Sequence, residues 1–430
     1  MEKALPSSRE QPKLLEYWKP PKAVHHIRSS SKALFSPSSR LPPIRTNTIK
    51  SREDYWDYWE NKKATDVAVR DLDLESDIMS YQRQAQDPFA DNIHMADHSA
   101  YKHSAPPPTY EVDKEDTLAP PWWDVRHWSK KVYCFVALDS GTNFFDNFDY
   151  FTGYDPTSGF VHYVDTEYAS NYNLTYASSS SAVLRVDTSV TADSEPNAST
   201  GRFSVRLTSK NQYDTGLFIF DVKHTPYGCA TWPALWLSDP NNWPANGEID
   251  VMEAVNQATD GNQMTLHTSS GCNMKVKRKE TGKVLETQCQ NGTNDNAGCG
   301  VKTGSATFGQ EFNANGGGVM AMELRDAGIR IWQFLRGSIP SDITAGSPDP
   351  STWGEAAADF PSTNCDISSH FRNQSIIANI DLCGTWAGST SVYTDEDNCP
   401  GTCSDYVANN ATAFTNAYWE FGEFNIYSAS

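Results

Sequence analysis

Three carboxylates within six residues constrain the fold and the chemistry of this chain more than any other feature. In Glu248-Ile-Asp-Val-Met-Glu253 the residues between the acids are apolar and largely β-branched, which predicts a buried strand rather than a solvated acidic loop. Holding three carboxylates together in a poorly solvated groove disfavours their charged forms. Such an arrangement is typical of a site that requires shifted pKa values.

The spacing of the three acids predicts an irregular strand. Side chains alternate between the two faces of a strand, so Glu248 and Asp250 share a face from which Glu253 would point away. A β-bulge at Val251-Met252 would return Glu253 to that face and align the three acids along one concave surface. The alternatives are a solvated acidic edge strand and a Ca²⁺ site, which usually has polar or glycine residues between its ligands.

Short runs of alternating apolar and polar residues, separated by clusters of Gly, Asn, Asp, Ser and Pro, continue from residue 141 to the end of the chain. Strands at this spacing predict an all-β sandwich or jelly roll. The clearest runs are residues 182–187, 203–207, 217–222 and 328–334.

The segments around the acidic strand resemble a known family. Trp232-Pro-Ala-Leu-Trp-Leu-Ser238 precedes the strand and Thr265-Leu-His-Thr-Ser-Ser-Gly-Cys272 follows it. With residues 144–164 and 418–427, they resemble the fungal laminarinase-type branch of family 16 glycoside hydrolases, the endo-1,3(4)-β-glucanases. The resemblance extends from about residue 140 to the C-terminus, so residues 140–430 are expected to form the catalytic domain.

The resemblance implies a concanavalin-like β-jelly roll of two curved antiparallel sheets, with an open cleft on the concave sheet. It implies retaining hydrolysis of β-1,3- or mixed β-1,3/1,4-glucans through a covalent glycosyl-enzyme. Glu248 would be the nucleophile, Glu253 the acid/base, and Asp250 a residue between them that hydrogen-bonds and orients Glu248. Retention requires the two carboxyl groups to lie about 5–5.5 Å apart.

Aromatic side chains near the acids are candidate substrate contacts, because the apolar faces of sugar rings stack on them. Trp236 and Trp243 flank the acidic strand, and their family counterparts line sugar subsites. Trp232 and Trp386 are further candidates, although a tryptophan also serves in core packing. His267 could donate a hydrogen bond to a carboxylate or sugar hydroxyl, or be a satisfied structural residue. Polar residues near the domain start could line one cleft end: Asp146, Asn147 and Asp149.

Two other functions stay open. A cell-wall β-glucan transglycosylase would use the same covalent intermediate, with a sugar instead of water as acceptor. A non-catalytic β-glucan-binding protein could keep the aromatic cleft, although such a protein would not need both glutamates.

The charge of the chain limits its partners. The net charge is −19 with a pI near 4.9. Before residue 140 the numbers of basic and acidic residues are nearly equal, so residues 140–430 carry nearly all of the net negative charge. An acidic domain is a poor ligand for nucleic acid or an anionic membrane and suits a neutral polymer. We expect a monomer, and the sequence indicates no cofactor and no metal requirement.

The cysteines and glycosylation sequons favour an oxidising compartment. Eight of the nine cysteines follow residue 140, and an even number predicts disulfides, whose 105 possible pairings the sequence does not resolve. Zinc binding at Cys399-Pro-Gly-Thr-Cys403 is the alternative, although no second pair accompanies it. The five sequons begin at Asn173, Asn197, Asn291, Asn373 and Asn410.

Residues 1–139 are rich in Pro, Ser and charge and predict a disordered tail. A short helix is expected over residues 52–81, and Pro107-Pro-Thr-Tyr110 is a candidate ligand for a WW-domain protein.

The end of this tail resembles a juxtamembrane segment. Pro120-Pro-Trp-Trp-Asp-Val-Arg-His-Trp-Ser-Lys-Lys131 is followed by an apolar run of only residues 132–138, whereas a membrane span needs about 20 residues. No apolar stretch typical of a signal peptide follows Met1. We therefore hypothesise a membrane anchor missing between residues 131 and 143, with an extracellular or cell-wall catalytic domain. The alternative is a soluble protein with a long tail.

Overall fold

The computed structural model describes residues 133–191 and 193–429. The expected disordered tail up to residue 132, the helix over 52–81, the WW-domain ligand at 107–110 and the tryptophan-rich segment at 120–131 lie outside the described residues. Within them, no helix has both the length and the apolar character that crossing a membrane requires.

Eighteen strands dominate the described part of the chain. In chain order they are β1 Tyr133–Asp139, β2 Phe148–Tyr150, β3 Val161–Tyr163, β4 Thr175–Ala177, β5 Ala182–Arg185, β6 Arg202–Ser204, β7 Arg206–Tyr213, β8 Gly216–His224, β9 Thr231–Ser238, β10 Glu248–Glu253, β11 Gln263–His267, β12 Lys283–Val284, β13 Cys299–Lys302, β14 Gly318–Arg325, β15 Gly328–Leu335, β16 Ala358–Pro361, β17 Gln374–Leu382 and β18 Tyr418–Ala429.

The α-helices between these strands are short. They are α1 Thr166–Asn171, α2 Gly309–Ala314, α3 Ser341–Thr344, α4 Ile367–His370, α5 Gly384–Ala387 and α6 Cys403–Asn409. None of them exceeds two turns, so the fold rests on its sheets.

Two eight-stranded antiparallel sheets form the body of the molecule. The site sheet, named for the acidic strand that it contains, has the order β12-β13-β11-β10-β9-β17-β7-β2. The second sheet has the order β16-β15-β14-β8-β18-β5-β4, and β1 also pairs with β18. Apolar side chains from both sheets meet in one core, as the alternating pattern requires. The predicted all-β jelly roll is confirmed.

Two of the four predicted strand runs, 217–222 and 328–334, fall within the single strands β8 and β15, and the run over 182–187 extends two residues beyond the end of β5 at Arg185. The run over 203–207 is instead divided at Val205 between β6 and β7. β6 pairs in parallel with β3, apart from the two large sheets. The Ser204 hydroxyl donates to the Ile380 carbonyl at 2.6 Å, and this hydrogen bond holds β6 against β17.

β1 lies ahead of the expected domain boundary at residue 140. Its residues Tyr133–Asp139 pair with the last strand, from Ala429 back to Phe424. The apolar run that suggested the remnant of a juxtamembrane segment therefore has the length and pairing of an edge strand. The folded part of the chain begins no later than Tyr133.

All eight cysteines after residue 140 form disulfides, as predicted. The pairs are Cys229–Cys399, Cys272–Cys365, Cys289–Cys299 and Cys383–Cys403. Because Cys399 and Cys403 belong to different disulfides, the alternative of a zinc site at that pair is wrong.

Candidate active site

The acidic strand β10 lies between β9 and β11 and contains the predicted bulge. Its pairing with β9 shifts by one residue between Asp250 and Met252. Val251 and Met252 both point into the core between the sheets. Two successive core-facing residues return Glu253 to the face that carries Glu248 and Asp250. These three carboxylates are called the acid row below.

One side chain holds the bulge in place. Asn262, fully buried in the turn before β11, accepts a hydrogen bond from the Glu253 backbone N–H at 2.9 Å. Its amide donates to the Val251 carbonyl at 3.0 Å. The bulge removes both backbone groups from the regular ladder, so Asn262 satisfies groups that would otherwise be buried and unpaired. Sequence reasoning did not identify this residue.

Two of the predicted tryptophans contact the two glutamates of the acid row. Trp243, in the loop before β10 and 43% exposed, donates from Nε1 to Glu248 Oε2 at 2.6 Å. Trp232, on β9, donates from Nε1 to Glu253 Oε1 at 2.8 Å. Each glutamate therefore has its own indole donor, which orients the carboxylate and favours its ionised form.

Trp236 lies on β9 directly opposite Asp250. Its Nε1 donates to Asn379 Oδ1 at 2.8 Å, and the guanidinium of Arg206 stacks 4.9 Å from its ring centroid. Its indole N–H thus binds the neighbouring strand β17, while Trp232 and Trp243 donate to the acids.

Trp386 lies on α5 and packs edge-to-face against Trp232, with ring centroids 5.7 Å apart. It lines a cavity of about 600 Å³ together with Gln263, Leu285 and Lys302. Gln263 is the partner of Glu253 across the β10–β11 ladder. The cavity, called the Trp386 cavity below, therefore adjoins the Glu253 end of the acid row.

His267 ends β11 opposite Glu248, on the strand where it was expected. Its Nε2 lies 3.6 Å from Asp250 Oδ2, and the side chains of His267 and Asp250 are 11% and 3% exposed. Asp250 Oδ2 has no hydrogen-bond partner among the described residues. The expected hydrogen bond between Asp250 and Glu248 is not formed.

Burial raises the pKa of every carboxyl group in the acid row. The pKa of Glu248 and that of Glu253 both rise to about 7. The pKa of Asp250 rises well above its usual range, because burial is reinforced by the charges of both glutamates. Burial also lowers the pKa of His267. Near neutral pH the row therefore retains protons, which is the condition for general acid catalysis.

Asp155 and Asp381 form a second pair of carboxyl groups, which lies beside strand β17. Asp381 lies on β17 opposite Trp232, and its Oδ2 accepts a hydrogen bond from Thr157 Oγ1 at 2.9 Å. Gly159 packs so closely that a Cβ there would come within 1.9 Å of the Asp381 carboxylate. Burial, and then the charge of Asp155, raise the pKa of Asp381 well above its usual range. The pair fastens the loop at 155–159 against the site sheet, and sequence reasoning missed it.

Comparison with known proteins identifies the family. The sequence model of the XgeA-like catalytic domain of glycoside hydrolase family 16 matches residues 148–427. The chain belongs to glycoside hydrolase family 16.

Curated fungal relatives match most of the family 16 domain. A probable glycosidase of Schizosaccharomyces pombe is 47% identical over 309 residues, which cover 70% of this chain and 71% of the relative. An endo-1,3(4)-beta-glucanase of Arthroderma benhamiae is 39% identical over 292 residues, covering 66% of this chain and 62% of the relative. A probable endo-1,3(4)-beta-glucanase of Aspergillus niger is 40% identical, but the match spans only 40% of its length.

Two solved structures resemble the family 16 domain along their whole length. Laminarinase 16A from Phanerochaete chrysosporium, solved with 6-O-glucosyl-laminaritriose in its donor and acceptor sites, is 42% identical with a TM-score of 0.66. An elongating family 16 β-1,3-glucosyltransferase is 39% identical with a TM-score of 0.63. Each match covers 69% of this chain and 100% of the other.

The remaining candidates lie away from the acid row of the family 16 domain. Asp149 lies on the edge strand β2, four strands from β10, and its side chain is exposed. Asp146 is exposed in the short helix before β2, and Asn147 hydrogen-bonds the Asp139 side chain. The structure does not bring these three residues together with Glu248 and Glu253.

Proposed function

We propose that this chain is a retaining endo-β-1,3(4)-glucanase that hydrolyses β-1,3- or mixed β-1,3/1,4-glucans. The observation that carries the proposal is the bulge at Val251-Met252, which sets Glu248 and Glu253 on one face of the site sheet. The laminarinase-type relatives support the choice of substrate.

The electrostatic environment favours different roles for the two glutamates. Attraction by Arg206 and the hydrogen bond from Trp243 both favour an ionised Glu248. The charge of Glu248 raises the pKa of Glu253, against the hydrogen bond from Trp232 and the attraction by His267 and Lys302. Because an ionised Glu248 disfavours a second charge beside it, we assign the first negative charge to Glu248 and the proton to Glu253. These are the states that a nucleophile and a general acid require.

The reaction follows from these protonation states. The Glu248 carboxylate attacks the anomeric carbon while Glu253 protonates the departing glycosidic oxygen, giving a covalent glycosyl-enzyme and a shortened glucan. Glu253, now ionised, takes a proton from water, whose oxygen attacks the same carbon and releases Glu248. Two inversions at one carbon give net retention.

Product analysis with the full chain tests this proposal. We expect new reducing ends from laminarin and lichenan, and proton NMR should show the β-anomer as the first product. A Glu248→Gly variant should regain turnover with azide and form an α-glycosyl azide. First release of the α-anomer would contradict a retaining mechanism, and no reducing ends from either glucan would contradict hydrolysis.

We keep transglycosylation as the second candidate because of the Trp386 cavity. The general acid protonates the leaving group, so the departing or accepting sugar lies beyond Glu253, where this cavity opens. Trp386 supplies an aromatic face, and Gln263 and Lys302 supply hydrogen-bond donors for sugar hydroxyls. The similarity to an elongating β-1,3-glucosyltransferase also supports this function.

The sizes of products from one pure laminari-oligosaccharide separate the two candidates. Oligomers longer than the substrate indicate transfer, and only shorter ones indicate hydrolysis. Trp386→Ala should reduce the share of longer products more than it reduces total turnover. Tyr168→Ala is the matched control, since it removes an exposed aromatic ring on α1. An unchanged product ratio in Trp386→Ala would exclude this cavity as the acceptor site.

We propose that the domain works outside the cytosol, at the cell wall or anchored to a membrane. Four disulfides in the described residues require oxidising conditions to form and persist. The WW-domain ligand at 107–110 and a monomeric state remain predictions.

A further inference from the structure

A histidine lies within reach of two acids of the acid row. Glu248, Asp250 and His267 each offer one ligand atom, and these atoms all lie within 4.8 Å of one another. The donors come from two adjacent strands, because His267 is the ladder partner of Glu248. They belong to neighbouring positions of a rigid sheet, which favours a preformed site.

Asp250 supplies an independent indication of a ligand. Its side chain is 3% exposed, and Oδ2 faces His267 Nε2 with no hydrogen-bond partner in the part of the chain that is described. A buried acceptor without a partner is destabilising. A cation between Asp250 and His267 would give this oxygen a partner and would offset the repulsion among the acids.

The spacing and the donor types select the kind of cation. Two ligands of a tetrahedral zinc, each bound at 2.0–2.2 Å, lie about 3.4 Å apart, close to the 3.6 Å between Asp250 Oδ2 and His267 Nε2. One imidazole nitrogen with two carboxylate oxygens suits zinc or copper, whereas calcium prefers six to eight oxygens. The Trp243 N–H, 2.6 Å from Glu248 Oε2, would orient that carboxylate from outside the metal.

We propose that Glu248, Asp250 and His267 bind one divalent transition metal, such as Zn²⁺, in competition with the glucan. Two carboxylates and a neutral imidazole balance the charge of the ion. A bound metal would occupy the Glu248 carboxylate that the proposed function assigns as nucleophile. The inhibition therefore rests on that function, whereas the binding does not.

Calorimetric titration with Zn²⁺ tests the binding. The titration uses the full chain with Cys134 replaced by serine (Cys134→Ser) in the parent and in every variant, because the exposed Cys134 thiol could bind zinc. We expect the parent to bind one zinc per chain. Asp250→Asn and His267→Gln should each bind it at least about tenfold more weakly. Glu167→Gln, which removes an exposed carboxylate on α1, is the matched control and should bind like the parent.

The same titration contains the outcomes that overturn the proposal. Parental zinc affinity in Asp250→Asn or His267→Gln would show that the metal binds elsewhere, and near-ultraviolet circular dichroism would show that each variant is folded. Ca²⁺ binding that displaces Zn²⁺ would contradict the donor argument.

Inhibition kinetics complete the test. We expect Zn²⁺ to raise the KM for laminarin without lowering kcat, and a laminari-oligosaccharide to displace zinc in calorimetry. Mixed inhibition, with no displacement of zinc by the laminari-oligosaccharide, would contradict competition between zinc and the glucan. If the chain cleaves no glucan, the calorimetric differences still decide whether the site binds zinc.

Discussion

The two large sheets each bury carboxylates, but they neutralise them differently. On the second sheet, Glu323 is 2% exposed, forms salt bridges to Arg325 and Arg330, and accepts a hydrogen bond from the Tyr133 hydroxyl. On the site sheet, the acid row contains three carboxylates. In residues 133–191 and 193–429, the one basic side chain within 4 Å of these carboxylates is His267, 3.6 Å from Asp250, and burial disfavours its charged form.

This difference distinguishes a structural carboxylate from a reactive one. Two neighbouring cations compensate the charge of Glu323, so this carboxylate fastens β14 to β15 and, through Tyr133, to β1. The acid row lacks such partners and keeps protons near neutral pH, which makes it chemically useful and unfavourable for stability. Substitutions in the two groups should therefore have opposite consequences.

The largest effect is expected for Glu248→Gln. The amide has nearly the shape of the carboxylate but cannot attack the anomeric carbon, so we expect kcat on laminarin to fall by at least ~10⁴-fold. The variant should be folded and at least as stable as the parent at neutral pH, because it removes one uncompensated charge. Initial rates and thermal unfolding measure both quantities, and normal hydrolysis would remove Glu248 from the mechanism.

Glu323→Gln should show the reverse pattern. Removing the carboxylate breaks the ion pairs of Glu323 with Arg325 and Arg330, and breaking such a buried group costs about 3–5 kcal/mol of stability. We expect kcat to stay within about twofold at temperatures where the variant is folded. Urea unfolding and initial rates measure these effects. A stable Glu323→Gln protein, or one with a large loss of kcat, would break the contrast between the two groups.

The acid row was predictable because its spacing conflicts with a regular strand. Glu248, Asp250 and Glu253 share one face only if a bulge intervenes, and the apolar Val251 and Met252 suit the opposite face. A local rule was sufficient to find the bulge, since all the residues involved are consecutive.

Features that depend on distant contacts were not predictable. β1 becomes a strand through pairing with β18, nearly the whole domain away in sequence. Asp381 is buried by the loop at Gly159, and only the folded chain brings them together. The disulfide pairing likewise depends on the path of the whole domain.

Asn262 was not predictable, although it holds the bulge, which was. Replacing it tests how strongly activity depends on the bulge. Asn262→Ala leaves the Glu253 N–H and the Val251 carbonyl without their partner. We expect Glu253 to shift and kcat to fall about 10²-fold, since small displacements of a catalytic group have effects of that size. Initial rates on laminarin measure the fall.

Asn313→Ala is the matched control for this change. Asn313 makes the same pair of hydrogen bonds, accepting from the Thr225 N–H at 2.8 Å and donating to the Thr225 carbonyl at 2.9 Å. It lies on α2, so its loss should lower stability without changing kcat. Equal losses of kcat in both variants would show a general structural effect instead of a role for the bulge.

The smallest effect is expected in the pH dependence of stability. An acid whose pKa is higher in the folded than in the unfolded chain binds more protons when folded, so stability falls as pH rises between the two values. For Glu248 and Glu253 this interval runs from 4.5 to about 7. We expect the free energy of unfolding to fall across this interval, measured as a falling thermal midpoint.

Asp250→Asn makes this expectation specific to the acid row. It removes the carboxyl group whose pKa is raised by both neighbours, so the midpoint at pH 7 should rise and its decline from pH 4.5 should become shallower. Glu167→Gln, on the exposed surface of α1, should follow the parent at every pH. A parental profile in Asp250→Asn would mean that the three carboxylates do not interact, and the opposition between Glu323 and the acid row would lose its electrostatic basis.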